Sequence, residues 1–189
     1  MTHTPLEIII GELLRRRGLR LATAESCTGG LISHLVTNVP GSSTYYMGGV
    51  VAYAYEAKVR LLGVRWQTLE KYGAVSQETV IEMACGARKG LAADIGLSVS
   101  GIAGPGGGTP EKPVGLTWIG LSTEGGDEAY SYIWEGDRQA VKEKSARQAL
   151  RLLDQGYSLS AVGRMSGCAA SSVMRWRDAR ERGGDKALK

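Results

Sequence analysis

A serine and a cysteine stand side by side, just before a pair of glycines, in the segment 24–30 of this 189-residue chain. Alternating apolar and polar residues predict a short strand before the segment, and helical spacing of apolar residues predicts a helix after it. A strand that ends in such a turn leaves backbone N–H groups unpaired and directed at one point, which favours a developing oxyanion there. The candidate nucleophiles are Ser26 and Cys27, and the candidate oxyanion donors are the N–H groups around Thr28, Gly29 and Gly30.

A serine needs a base to attack at neutral pH, and the sequence offers one main candidate. His3 lies in the terminal segment and His34 lies inside a predicted helix, so neither histidine is suitably placed. Lys58 follows a predicted strand at 50–55, and partial burial would lower its pKa towards the working range. A Ser/Lys pair beside a set of N–H donors suits hydrolysis of an amide or an ester.

Three alternatives remain open at this stage. Cys27 is a second candidate nucleophile, because thiols at helix N-termini have depressed pKa values. Glu25 fits a base, but it fits equally well an ion pair with a lysine or a cap of backbone N–H groups. Tyr53 and Tyr55 fit core aromatic residues as well as site residues.

A glycine-rich loop at 101–110 follows another predicted strand at 95–100 and has five glycines in eight residues. Such a loop lets the backbone come close to a ligand. It matches neither the phosphate-binding P-loop nor the dinucleotide fingerprint. The loop is therefore a candidate binding element without an assigned ligand class.

The elements around these residues alternate between helix and strand until a final hairpin of strands at 114–123 and 128–134. This order predicts an α/β fold, a three-layer α/β/α sandwich with a mixed sheet. Ligand sites in open α/β sheets lie at the carboxyl ends of the strands. We therefore expect Ser26, Lys58 and the glycine loop to converge at one edge. Further helices are predicted at 6–17, 66–72, 77–91 and 137–153.

Composition narrows the class of protein. Hydrophobic residues make up 43% and charged residues 22% of the chain, which is typical of a globular protein. No apolar run approaches the roughly 20 residues of a membrane span, and no signal-peptide pattern begins the chain, so we expect a cytoplasmic protein without membrane contact. Three cysteines and two histidines are too few for a disulfide framework or a zinc site, so no metal is expected.

Six motifs recur in order along the chain: Ala24-Glu25-Ser26-Cys27-Thr28-Gly29-Gly30, Gly49-Val50-Val51-Ala52-Tyr53, Glu56-Ala57-Lys58, Gly73-Ala74-Val75-Ser76, the segment 100–115 and Gly136-Asp137-Arg138. Together, over about residues 5–154, they resemble the CinA C-terminal domain family. The resemblance implies an α/β/α fold, no cofactor, self-association, and hydrolysis of nicotinamide mononucleotide to nicotinic acid mononucleotide and ammonia.

Chemistry and resemblance suggest the same roles for the site residues. Ser26 attacks the carboxamide carbon, Lys58 takes its proton, and Tyr53 helps to position or relay it. Two positions depart from the family pattern: Tyr55 stands where asparagine is usual, and Lys142 stands where arginine is usual. The candidates for the ribose phosphate and other substrate contacts are Cys27, Ser42, Tyr55, Gly104, Gly106, Gly107, Thr109 and Arg138.

The last 34 residues differ from the rest of the chain. They hold seven of the 23 basic residues and only three of the 19 acidic ones, an excess that accounts for the whole net charge of +4. Residues 158–176 resemble a transposase-type helix-turn-helix, which makes 155–189 a basic helical extension after a catalytic domain at 1–154. The extension is a candidate for contact with DNA; the alternative, left open at this stage, is a basic helix that only packs on the enzyme or mediates assembly.

Overall fold

A five-stranded mixed sheet forms the centre of the protein in the computed structural model, which describes residues 4–154. The strands are β1 (Leu21–Glu25), β2 (Tyr46–Val51), β3 (Ile95–Gly101), β4 (Leu116–Thr123) and β5 (Gly126–Ile133). Their spatial order is β2-β1-β3-β4-β5. The first three pair in parallel, and β4 and β5 join them antiparallel. The predicted mixed sheet is confirmed.

Helices cover both faces of the sheet. They are α1 (Leu6–Arg17), α2 (Leu31–Thr37), α3 (Tyr55–Leu62), α4 (Trp66–Tyr72), α5 (Gln77–Gly90) and α6 (Arg138–Asp154). Apolar residues of α1, α2 and α6 form one core with the sheet, and those of α3, α4 and α5 form a second core on the other face. The protein is therefore the three-layer α/β/α sandwich that the sequence predicts.

Local signals in the sequence place several helix ends correctly. Gly18 ends α1 in the left-handed conformation, with φ of 62°. The Ser76 hydroxyl accepts a hydrogen bond from the N–H of Thr79 at 3.3 Å and caps α5. The Asp137 carboxylate accepts from the N–H of Ala140 at 2.8 Å at the start of α6.

Strand β2 lies about four residues earlier than the sequence predicts. The predicted strand at 50–55 continues through Tyr55, whereas the observed strand ends at Val51, opposite Glu25, the last residue of β1. Because β2 is an edge strand, it ends where its one partner ends, and Ala54 then caps α3. The strand prediction relied on the strand propensity of residues 52–55, which instead form the connection to α3 and the first residue of that helix.

The connections after β1 and β2 create a crevice at the carboxyl end of the sheet. The chain leaves β1 towards α2 on one face, and it leaves β2 towards α3 on the other face. Neighbouring strands whose following connections leave in opposite directions mark the usual ligand position of open α/β sheets.

Helix α5 lies close against the sheet because Gly96 of β3 has no side chain. A Cβ atom at Gly96 would lie 2.0 Å from the carbonyl oxygen of Ala84 in α5. This contact sets the depth of α5, and the segment that precedes α5 forms one wall of the crevice.

Within residues 4–154, no helix is long and apolar enough to cross a membrane. The predicted extension at 155–189 lies outside the described residues.

Candidate active site

Ser26 and Lys58 lie in direct contact at the carboxyl end of the sheet. The Lys58 ammonium donates a hydrogen bond to Ser26 Oγ at 3.1 Å. Ser26 follows the last residue of β1 directly, and Lys58 reaches it from the first turn of α3. The contact that the sequence predicts between a serine and a lysine 32 positions apart is present.

Two backbone carbonyls hold the lysine nitrogen in this position. Lys58 Nζ donates to the carbonyl oxygen of Ala52 at 2.7 Å and to that of Tyr53 at 3.3 Å. A neutral amine has two hydrogens and one lone pair, so donation to both carbonyls leaves the lone pair free for the third contact, Ser26 Oγ. The arrangement therefore suits proton abstraction from the serine hydroxyl.

Burial favours the neutral form of this lysine. Lys58 is only 1% exposed, and desolvation lowers its pKa from 10.5 to about 8. No carboxylate among the described residues forms an ion pair with it. A usable fraction of the side chain is therefore unprotonated near neutral pH.

Desolvation favours the neutral form of the neighbouring cysteine as well, and for a thiol the neutral form is the unreactive one. Burial raises the pKa of Cys27 to about 12, so its thiol is protonated at neutral pH and lacks the thiolate that nucleophilic attack requires. The alternative of a cysteine nucleophile is not favoured by this environment.

Glu25 is fully buried and accepts four hydrogen bonds at the turn after β1. Its donors are the N–H groups of Gly30, Ile32 and Ser33, at 3.0, 3.1 and 2.8 Å, and the Ser33 hydroxyl at 2.7 Å. All of its contacts fix the start of α2, and none is to Ser26 or Lys58. Glu25 therefore acts as a cap and not as a base.

The same contacts correct the predicted set of oxyanion donors. The Gly30 N–H is bound to Glu25, and the Gly29 N–H donates to the Ser26 carbonyl oxygen at 3.1 Å. Both groups are therefore already engaged. The N–H groups of Cys27 and Thr28 face the Cys27 sulfur, a weak acceptor, and no oxygen in the described part of the chain accepts from them.

A cavity of about 200 Å³ opens beside the serine and the lysine. Sequence reasoning missed much of its wall, because Ala74, Val75 and Ala103 carry no reactive group, and the Ser100 hydroxyl, which donates to the Ala74 carbonyl oxygen at 2.7 Å, was not singled out. The cavity is lined by Ser26, Cys27, Tyr53, Lys58, Ala74, Val75, Ser100, Gly101, Ala103 and Arg138.

One rim of the cavity joins three parts of the chain that the sequence analysis singled out. The Arg138 guanidinium donates to the Gly104 carbonyl oxygen at 2.8 Å and to the Tyr53 phenol at 2.9 Å. The phenol makes no hydrogen bond to Ser26 or Lys58. Tyr53 thus contributes its carbonyl to the lysine and its ring to the rim.

Lys112, which the sequence analysis did not single out, fastens the glycine loop to the opposite wall. Its ammonium donates to the carbonyl oxygens of Tyr72 and Val75 at 2.6 and 2.8 Å. The sequence shows only that a lysine follows the glycine-rich loop, and that position does not indicate which carbonyl groups its ammonium binds.

Other predicted ligands lie away from the cavity. Ser42 precedes β2, so it lies at the amino edge of the sheet, opposite the site, and the fold does not bring it to Ser26. Thr109 closes the loop on itself, because its hydroxyl accepts from the N–H of Lys112 at 3.1 Å. Gly106 and Gly107 lie exposed on the outer part of the loop and do not line the cavity.

Tyr55 also lies outside the cavity lining. Its phenol oxygen accepts from the N–H of Ala74 at 3.3 Å, and its ring lies 6.3 Å from that of Trp66. The ring therefore supports the wall at Ala74 from behind and does not occupy the space beside Ser26.

Two family models match the chain. Residues 3–157 match the CinA C-terminal domain, and residues 140–189 match a homeodomain-like domain. Similar proteins include a CinA-like protein of Kosmotoga olearia, 52% identical over 145 residues, and a putative competence-damage inducible protein of Halothermothrix orenii, 56% identical over 152 residues. The matches cover 77% and 80% of this chain but only 35% and 37% of those proteins, so the chain spans about a third of their length.

Solved structures share the fold. The competence/damage inducible protein CihA from Agrobacterium tumefaciens superposes with a TM-score of 0.77 at 38% identity, covering 82% of this chain and 98% of that one. A CinA superfamily protein from Klebsiella pneumoniae superposes with a TM-score of 0.78 at 36% identity, covering 80% and 94%.

Proposed function

The chain belongs to the CinA C-terminal domain family, and from this premise we propose that it hydrolyses the carboxamide of nicotinamide mononucleotide to nicotinic acid mononucleotide and ammonia. The observation that carries the proposal is the contact of 3.1 Å between Lys58 Nζ and Ser26 Oγ in a cavity, with the lysine buried. The identity of the substrate rests on the resemblance of the sequence motifs to this family.

The geometry supports a two-step mechanism. Ser26 Oγ attacks the carboxamide carbon while neutral Lys58 takes the hydroxyl proton, and the carbonyl oxygen becomes an oxyanion held by the N–H groups of Cys27 and Thr28. Lys58 then gives its proton to the departing nitrogen, which leaves as ammonia. Water attacks the resulting Ser26 ester with Lys58 again as the base, and the carboxylic acid and the serine are released.

Thr28 offers one further contact to the substrate. Its hydroxyl is buried, and it has no hydrogen-bond partner among the described residues. A buried hydroxyl without a partner costs about 1–3 kcal/mol. A substrate that supplies an acceptor at this point would recover that cost on binding.

The test is ammonia release from nicotinamide mononucleotide by the full chain, with the acid product identified by mass spectrometry. We expect Ser26→Ala to lose at least about 10³-fold in kcat, because the nucleophile is removed. Cys27→Ala is the matched control, since it removes the adjacent thiol and keeps the backbone N–H; its rate should stay near that of the wild type.

The opposite pattern would reject the assignment. Near-normal ammonia release by Ser26→Ala, or inactivity of Cys27→Ala with Ser26→Ala active, contradicts a serine nucleophile. Absence of ammonia release by the wild-type protein contradicts the proposed activity itself.

We propose as a second candidate function that the basic extension binds DNA. The observation that favours it is the homeodomain-like match over residues 140–189, together with the excess of four positive charges in the last 34 residues. Basic side chains on such a unit contact phosphates and make binding sensitive to salt. The two candidate functions use different parts of the chain and are compatible.

A further inference from the structure

Ala74 and Val75 form one wall of the cavity, and the backbone of this wall is held from several directions. The Ala74 N–H donates to the phenol oxygen of Tyr55 on α3 at 3.3 Å, and the Ala74 carbonyl oxygen accepts from the Ser100 hydroxyl at 2.7 Å. The carbonyl oxygen of Gly73 accepts from two hydroxyl groups at the start of α5, at 3.0 and 2.8 Å. Contacts with α3, α5 and β3 therefore fix this part of the wall.

Lys112 connects the next residue of the wall, Val75, to the glycine loop. Its ammonium donates to the carbonyl oxygens of Val75 and Tyr72, and Tyr72 is the last residue of α4, where the helix dipole favours a cation. At the backbone, the Thr109 N–H donates to the Lys112 carbonyl oxygen at 2.8 Å, and the Thr109 hydroxyl accepts from the Lys112 N–H at 3.1 Å. These bonds fix the turn from which the lysine side chain extends, so the ammonium sets the distance between Val75 and the loop.

The distance between the wall and the loop limits the size of the cavity. Its apolar lining includes Ala74 and Val75 of the wall and Ala103 of the loop, and its volume is about 200 Å³. An apolar cavity of roughly 150 Å³ holds one benzene molecule. The space beside Ser26 and Lys58 therefore suits one six-membered aromatic ring with its carboxamide, and it is too small for a second fused ring.

We propose that Lys112 is a positioning residue that limits this site to amides of a single aromatic ring, because its ammonium holds Val75 towards the glycine loop. The inference rests on the proposed function and deepens it, since it names the group that restricts the ring system of the substrate. Lys112 binds the wall and the loop, whereas Lys58 binds Ser26 and the turn after β2. Ring selection and proton transfer thus use separate groups.

Loss of the Lys112 ammonium should loosen Val75 without unfolding the protein. Lys112→Met keeps a long unbranched side chain and removes its hydrogen-bond donors. The hydrogen bonds of Gly73 and Ala74 remain in this variant, and water can replace the ammonium at the two released carbonyl groups. We therefore expect its unfolding temperature to stay within a few degrees of that of the wild type.

The first experiment measures binding without turnover. The full chain with Ser26→Ala is titrated, with ligand-observed NMR detection, with nicotinamide and with quinoline-3-carboxamide, which adds a fused ring to the same amide. This parent protein should bind nicotinamide at least about tenfold more tightly, because a filled apolar pocket rejects added carbon atoms by such factors. Adding Lys112→Met should remove most of that preference.

Two further variants in the Ser26→Ala background show whether the ammonium itself is responsible. Lys112→Arg should keep most of the preference, because a guanidinium also supplies several N–H donors to the two carbonyl groups. Lys71→Met is the matched control: the Lys71 ammonium is a neighbouring positive charge that lies over the Tyr72 ring, 4.9 Å from its centroid. This control should leave the preference unchanged.

The second experiment separates positioning from catalysis. In steady-state ammonia release from nicotinamide mononucleotide, Lys112→Met should raise KM about tenfold and keep kcat within about threefold, because the contact between Ser26 and Lys58 is retained. A lower kcat with an unchanged KM would contradict a positioning role in ring binding. Lys71→Met should have the kinetic constants of the wild type.

The two experiments distinguish failure of this inference from failure of the proposed function. If the wild type releases no ammonia, the proposed function fails, and the binding experiment still decides whether Lys112 limits the ring size. If the Ser26→Ala protein does not bind nicotinamide more tightly than quinoline-3-carboxamide, the size limit is absent and the inference is rejected. It is also rejected if Lys112→Met and Lys71→Met show the same preference.

Discussion

Lys58 is buried and contacts Ser26, and its protonation state links the burial to the role that we propose for it. A lysine that is 1% exposed is costly to keep charged, because its ammonium has left water for a site where no carboxylate of residues 4–154 pairs with it. The same cost lowers its pKa to about 8 and supplies the neutral amine that the mechanism needs. Burial of Lys58 therefore both lowers the stability of the folded protein below pH 8 and supplies the neutral amine.

Titration of Lys58 should appear in both rate and stability. We expect kcat/KM for ammonia release to rise about tenfold from pH 6 to 7 and to level off above pH 8, where most of the amine is neutral. In the unfolded chain the lysine pKa is higher, so between about pH 8 and 10.5 the unfolded state binds more protons and the folded state gains stability as pH rises.

Urea unfolding of the wild type and of Lys58→Met checks the stability part of this prediction. The unfolding free energy of the wild type minus that of the variant should rise by up to about 3 kcal/mol from pH 7 to 10.5. Lys89→Met, which removes an exposed lysine from α5, is the control and should show no such rise. A flat difference for Lys58→Met would contradict a depressed pKa.

At the scale of elements, a buried carboxylate holds the turn between β1 and α2. The N-cap residue of α2, Gly30, has no side chain to cap the helix, and a residue of the preceding strand does so instead. Glu25 is the last residue of β1, and it binds three N–H groups at the start of α2. The Ser33 hydroxyl continues the network to Tyr46, which donates to it at 2.8 Å, and Tyr46 also bonds with Thr23 at 2.6 Å. This network fixes the segment that carries Ser26.

Glu25→Gln should disturb this turn, because an amide has one acceptor oxygen where the carboxylate has two, and its NH₂ group would face backbone donors. We expect a loss of about 2–3 kcal/mol in unfolding free energy, and a lower kcat at temperatures where the variant is still folded. Urea unfolding and ammonia release measure the two effects.

Glu143→Gln is the matched control for this experiment. Glu143 is an exposed carboxylate on α6 that accepts a hydrogen bond from Gln139, so its amide variant should behave as the wild type. If Glu25→Gln is as stable and as active as Glu143→Gln, the turn does not depend on the carboxylate.

At the scale of the whole molecule, α6 connects the two matched regions. Its first residue, Arg138, forms the cavity rim, and its later residues fall within both the CinA match and the homeodomain-like match. The apolar side of α6 is already buried in the α/β core: Val141, Ala146, Ala149, Leu150, Leu152 and Leu153 are each at most 1% exposed. These side chains are therefore not free to build a second core while the α/β domain is folded.

Truncation after Asp154 should separate the two functions. Because α6 stays intact, the shortened protein should keep its unfolding temperature within a few degrees and keep its ammonia release. Duplex DNA binding by the full chain should weaken steeply with salt, and it should be lost on truncation together with the net charge. Fluorescence anisotropy of a labelled duplex at several salt concentrations measures this.

The control for truncation is the full chain with Arg16→Gln and Arg17→Gln, which removes positive charge from α1 and leaves the extension intact. Equal weakening of DNA binding in this variant would indicate non-specific attraction to charge. Full binding by the truncated protein would show that the extension is not the DNA-binding part.

Local rules in the sequence determined the fold class and the contact between Ser26 and Lys58. Periodicity and capping signals depend on neighbours along the chain, so α1, α5 and the start of α6 could be placed from Gly18, Ser76 and Asp137. Ser26 and Lys58 could be paired because both follow parallel strands, whose carboxyl ends meet at one edge of the sheet. The family resemblance could be stated from motifs alone.

Only the tertiary structure decided which groups at that edge are available for chemistry. The sequence offered Thr28, Gly29 and Gly30 as equivalent donors, and it left Glu25 open as a base, because hydrogen-bond partners cannot be known until side chains are placed. In the folded protein the Glu25 carboxylate accepts a hydrogen bond from the Gly30 N–H, and the thiol of Cys27 is buried. Lys142 Nζ lies 3.8 Å from the position of a Cβ atom at Gly29. Each of these outcomes depends on contacts between residues distant in the sequence or on desolvation, which no local pattern records.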